Sequence, residues 1–98
     1  MEIPKEFTIF GTTITVEFDN DKGDRERAYG LAEYKQNKII LQNKSDGDVI
    51  KDSEIETTFL HESIHIILNK LGCHDLNGDE KFVNQFARAL HQFLKTQK

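Results

Sequence analysis

The sequence predicts a single α+β domain, and the change of periodicity at its midpoint is the main reason. The first half alternates apolar and polar residues with the period of two that belongs to half-buried strands. The second half repeats its apolar residues at intervals of three and four. At 98 residues the chain has room for one compact core, so residues 1–98 are expected to form one minimal domain.

Within residues 7–18, Ile14, Val16 and Phe18 alternate with Thr13, Thr15 and Glu17. Phe7 and Ile9 alternate in the same way ahead of Gly11-Thr12, which predicts a tight hairpin. Residues 19–27 are highly charged, contain Gly23 and read as a loop. Two further strands are expected over 29–34 and 38–42, joined across Lys35-Gln36-Asn37, giving a small antiparallel or mixed sheet of three to four strands. Residues 43–52 are polar again, with Gly47 as a breaker. Ser53, followed three residues later by Glu56, has the form of a capping box, and acidic residues there suit a helix dipole. Behind it Ile55, Phe59, Ile64, Ile67, Leu68 and Leu71 keep helical spacing, and Gly72 supplies a left-handed C-cap. A second helix is expected over about 78–95, burying Phe82, Val83, Phe86, Ala87, Leu90, Phe93 and Leu94. Strands first and helices afterwards make the α+β class.

Charge excludes one family of functions. The formal net charge is −4 and no basic cluster is present, so the chain cannot replace phosphate counterions and no nucleic-acid partner is expected. No apolar run approaches the ~20 residues that span a bilayer, so no membrane partner is expected either. Cys73 is the only cysteine, which rules out an internal disulfide, and Met1 to Glu6 lacks the basic-then-apolar order of a signal peptide. The expected compartment is the cytoplasm. A hydrophobic fraction of 37% is modest, which makes a bound metal an expected source of stability.

The first helix contains His61-Glu62-Ser63-Ile64-His65, an HExxH. Histidines four apart project from one helix face, so both imidazoles reach a single ion; zinc is the expected one. Glu62 stands one step round from His61, beside the metal and not on it. There it can take a proton from the metal's water and pass it on to a leaving amine. Flanking Thr58, Phe59, Leu60 and Ile66 to Leu68 put the motif on a largely buried helix, where two unpaired imidazoles would be costly.

A catalytic zinc needs a third protein ligand. Leu68 and Leu71 occupy the positions where a metzincin has Gly and His, and no cysteine lies upstream to serve as in a peptide deformylase. Glu80, at the start of the second helix, is the candidate; Asp79 and His74 are alternatives. Asn77-Gly78-Asp79-Glu80 also reads as a second capping box, in which Glu80 bonds only its own helix. His91 shares the face of Glu80 but lies ~16 Å along the helix, and reads as a helix-end histidine favoured by the dipole.

The segment Glu80-Lys81-Phe82-Val83-Asn84-Gln85-Phe86-Ala87-Arg88-Ala89-Leu90 resembles the E-x-x-A-N-x-F-A-x-x-L that follows HExxH in ImmA/IrrE-type metallopeptidases, which are gluzincins. Compact minigluzincins and small phage or prophage HExxH proteins are similar in size. The resemblance covers about residues 56–94. It implies His61, His65 and Glu80 as zinc ligands, Glu62 as general base, and Asn84 as a residue that orients a ligand. Gluzincins also use a Tyr or His to help the oxyanion, a role for which Tyr29 and Tyr34 are the candidates. Strand 38–42 is expected to be the sheet edge that pairs with an extended peptide. The chain departs from the pattern at Val83, where Ala is common, and beyond Leu90, where a Leu-x-x-Pro ending is usual.

Two acidic stretches, 19–24 and 75–79, imitate calcium loops but put Gly30 and Phe86 where a bidentate Glu is required. Cys73 reads as a structural thiol. The expected function is therefore zinc-dependent hydrolysis of a peptide or partly unfolded protein. The alternatives are a metal-bound interaction module without turnover, such as a phage regulatory protein, and a metal-free structural domain.

Overall fold

Two local hairpins joined by one parallel pair of strands build the sheet. In the computed structural model, which describes residues 1–98, β1 (Glu6–Ile9) pairs antiparallel with β2 (Thr12–Phe18), Phe7 opposite Ile14. The turn is Phe10-Gly11, one residue earlier than expected. Both residues are left-handed, with φ of 49° and 77°, as a two-residue turn matched to strand twist requires. β3 (Gly30–Glu33) and β4 (Lys38–Leu41) form the second antiparallel pair, linked by a 3-10 turn over Tyr34–Gln36 and left-handed Asn37. β2 runs parallel to β4, with Val16 opposite Ile39, so the order is β1-β2-β4-β3 and the four-stranded sheet is mixed. The α+β architecture is as the periodicity predicted.

That order corrects one expectation: strand 38–42 is interior, and the edge beside the helices is β3. Alternation reports which face of a strand is buried and says nothing about its neighbours. The charged stretch expected as a loop is also different. It forms α1 (Asn20–Glu26), because the Asp19 side chain accepts from the Lys22 N–H at 3.0 Å and closes the first turn. Gly23 fits there because a Cβ would stand 2.2 Å from the side chain of buried Gln42. A short hairpin, β5 (Lys44–Ser45) with β6 (Asp48–Val49), occupies the second expected loop.

α2 (Asp52–Leu71) begins after Lys51, so Ser53 lies inside the helix and its capping box does not form. Glu56 is turned inward instead. His91 Nε2–H donates to its Oε1 at 2.7 Å, which holds the Glu56 carboxyl below its ordinary range against the opposing effect of burial. His91 therefore serves as a partner for a buried acid, and not as a dipole-favoured helix end. Gly72 ends α2 in the left-handed conformation, as expected. A single turn, α3 (His74–Asn77), leads to α4 (Glu80–Lys95), whose N-cap is Asp79, accepting from the Phe82 N–H at 3.1 Å. No helix is long and apolar enough to cross a membrane.

The core lies between sheet and helices: Ile14, Ile39 and Leu41 from the strands meet Phe59, Ile64 and Ile66 of α2 and Val83 and Ala87 of α4. Phe86, Phe93 and Leu94, expected inside, are outside; α4 offers only a narrow inward stripe. α2 is buried on most sides, its Ser63 hydroxyl satisfied by the Phe59 carbonyl at 2.7 Å. Glu56 and Glu62, on its inner turns, thus sit in a sheltered environment.

Candidate metal centre

His61 and His65 lie on consecutive turns of α2 with their Nε2 atoms 3.1 Å apart. Glu80, the first residue of α4, places one carboxylate oxygen 3.3 Å from His61 Nε2 and the other 3.0 Å from His65 Nε2. Glu80 is free to do so because Asp79, not Asn77, caps the helix, which disposes of the capping-box alternative. Ligands bonded at about 2.05 Å to a tetrahedral ion stand about 3.3 Å from one another. The three groups match that spacing, and two imidazoles with a carboxylate form a donor set suited to zinc. Acceptors converge in this way around a shared cation or proton.

The orientation of His65 has a visible cause. Its Nδ1 faces the Asn77 side-chain oxygen, and the Asn77 amide NH2 donates to the Tyr34 hydroxyl at 3.3 Å. With Nδ1–H donating to that oxygen, the Nε2 lone pair is left to point at the triad. Asn77→Ala is expected to weaken zinc binding by about 10- to 100-fold with little loss of fold, measured by competition with a chromophoric chelator. Burial is the leading reason that the His61 imidazole is held below its ordinary pKa; repulsion by His65 adds to it, while Glu80 and Asn84 oppose. A neutral ring is the form that ligates metal.

Glu62 is 8% exposed and its Oε2 lies 3.9 Å from His61 Nε2, adjacent to the triad without belonging to it. Burial pushes its carboxyl up to about 7; Glu80 adds to the rise and His65 opposes it. A cation held by the triad also opposes it. Over His61 and Glu62 opens a cleft of about 410 Å³, bounded by Arg27, Tyr29 and Gly30 on one side and Asn84 of α4 on the other. The two tyrosines are thereby separated: Tyr29 faces the cleft, whereas Tyr34 stands behind His65, bonded to Asn77. His74 lies in α3 outside the cluster, Asp79 caps α4, and Cys73 is a half-buried free thiol packed on the core.

Sequence reasoning missed three contributors. Gly30 carried a signal, since glycine at a strand often marks close backbone approach: a Cβ there would stand 2.6 Å from Thr58 Cγ2 and 2.9 Å from Glu62 Cγ. Asn77 and Arg27 carried none, because their positions depend on how short turns are folded. No protein-family model, curated protein or solved structure matches this chain.

Proposed function

We propose that the protein is a zinc-dependent peptidase of the gluzincin type, in which His61, His65 and Glu80 hold the metal and Glu62 is the general base. The observation that carries this reading is the convergence of two imidazole nitrogens and a carboxylate at 3.0–3.3 Å, with a buried acid 3.9 Å from one of them. Zinc bound there supplies Lewis acidity, lowering the pKa of water and polarising a carbonyl.

The chain's own residues divide the remaining work. Glu62, poised near neutrality by burial, accepts a proton from water in the cleft and returns it to the departing amine. Asn77 and Asn84 keep the two imidazoles aimed. Tyr29 is the donor available on the cleft side for a developing oxyanion. β3 supplies the sheet edge along which an extended peptide adds as a further strand, and Gly30 lets that edge approach the catalytic helix.

The test is metal analysis of untagged protein together with cleavage of a mixed peptide library. Equimolar zinc, loss of zinc in His65→Ala, and cleavage that stops on chelation and returns with added zinc are expected. Zinc bound with no peptide cleaved would leave an interaction module; no zinc bound at all would overturn the reading.

A further inference from the structure

The cleft over the candidate metal centre does not end at Asn84. A second hollow of about 480 Å³ adjoins it and shares Tyr29, Thr57 and Thr58 as lining. Together they form a trough between α2, α4 and the start of β3. Along α4 the trough meets Asn84, Arg88 and His91, one turn apart; along α2 it meets His61, Thr57 and Ser53 running the opposite way. Two of the chain's three arginines line it, Arg27 beside His61 and Glu62 and Arg88 in the outer hollow.

Neither guanidinium has a partner within the protein: no carboxylate lies within 4 Å of Arg27 or Arg88. Glu54 lines the outer hollow without pairing to Arg88, and His91 there is already bonded to Glu56. Arg27 is also left-handed, with φ of 54°, at a helix end where glycine is the unstrained residue. A bulky side chain held in such a conformation beside a cleft points to a use for that side chain. The net charge of −4 would repel acidic ligands; in the trough Arg27 and Arg88 balance Glu62 and Glu54, so the surface there is less hostile to a carboxylate than the chain as a whole.

We propose that Arg27 and Arg88 bind carboxylates of the substrate, so that the trough takes acidic peptide segments. Where the cleaved bond falls relative to them rests on the peptidase reading; the binding of carboxylates does not. Arg88 is about 12 Å along α4 from Glu80, and an extended peptide advances about 3.3 Å per residue. Arg27 therefore reads a residue next to the cleaved bond, and Arg88 one about two to four residues away. The carboxylates are either Asp and Glu side chains or the peptide's C-terminus.

The binding test uses zinc-loaded Glu62→Gln protein, which holds a peptide without turning it over. Fluorescein-labelled alanine octapeptides carry two Glu, two Gln or two Lys centrally, each with a free or an amidated C-terminus. The Glu peptides are expected to bind about tenfold tighter than the Gln peptides, with the gap narrowing at about 0.5 M NaCl. Arg27→Asn, which tolerates the left-handed backbone, and Arg88→Gln should each remove part of the gap and together all of it, with the thermal melt unchanged. An advantage confined to free C-termini assigns the site to the terminal carboxylate. Equal binding of every peptide, or an advantage that survives both substitutions, overturns the proposal. A parallel digest of a proteome-derived library by the zinc-loaded native protein separates the two readings. Cleavage without acidic enrichment sinks the arginine assignment alone; acidic binding with no cleavage sinks only the peptidase.

Discussion

Glu62→Gln is expected to lower peptide hydrolysis by about a hundredfold to ten-thousandfold while zinc remains bound, since Gln keeps the shape of Glu but cannot take a proton. Activity within a few-fold of native would remove Glu62 from the chemistry. The same substitution has an opposite effect on the metal-free fold. Burial raises the Glu62 carboxyl from its ordinary 4.5 to about 7. A group whose pKa is higher folded than unfolded leaves stability intact below the unfolded value, and stability is lost as pH rises through the folded value. Between pH 4.5 and 7 the metal-free native protein should therefore weaken by about 2–3 kcal/mol on this account. Gln has no charge to desolvate and escapes that loss. In urea titrations of the metal-free proteins, the variant should match native near pH 4.5 and exceed it at pH 8. Parallel curves would show that the Glu62 environment is not the cause.

Gly30→Ala should be nearly as damaging, by geometry instead of chemistry. The new methyl would lie 2.6 Å from Thr58 Cγ2 and 2.9 Å from Glu62 Cγ, separations that carbon atoms do not tolerate. Either β3 retreats from α2 or the Glu62 side chain turns away. Overpacking of this kind costs about 1–3 kcal/mol, and displacing the base by about 1 Å costs on the order of a hundredfold in rate. Thr58→Ser removes one of the two clashing carbons and should restore part of both losses in the double variant, a coupling that independent sites do not show. A Gly30→Ala protein with native rate and melting temperature would mean that β3 does not press on α2.

These two residues mark what could and could not be read beforehand. Glu62 was legible because HExxH is a local pattern: one helix face fixes the relation of His61, Glu62 and His65 without help from the rest of the fold. Glu80 was legible as a candidate but not its rivals' exclusion, which awaited the observation that Asp79 and not Asn77 starts α4. Strand positions follow from alternation, but the interior place of β4 does not, because pairing order is a tertiary property. α1 was hidden by Gly23 and its run of charges, and only the Asp19 cap explains it. Asn77 contributes through a single turn between helices, where neither period nor motif identifies a residue. The outward Phe86 and Phe93 share the helical spacing of Val83 and Ala87, and periodicity alone could not tell which stripe faces inward.

α4 is tied to its neighbour at two separated points, through Glu80 near its beginning and through His91 on Glu56 toward its far end. The eleven residue steps between them, about 16 Å of helix, behave like a beam supported at both ends. An outward swing of this wall of the trough would have to break one of the two supports. On the peptidase reading, such a wall would lower the ordering cost of taking in an extended guest.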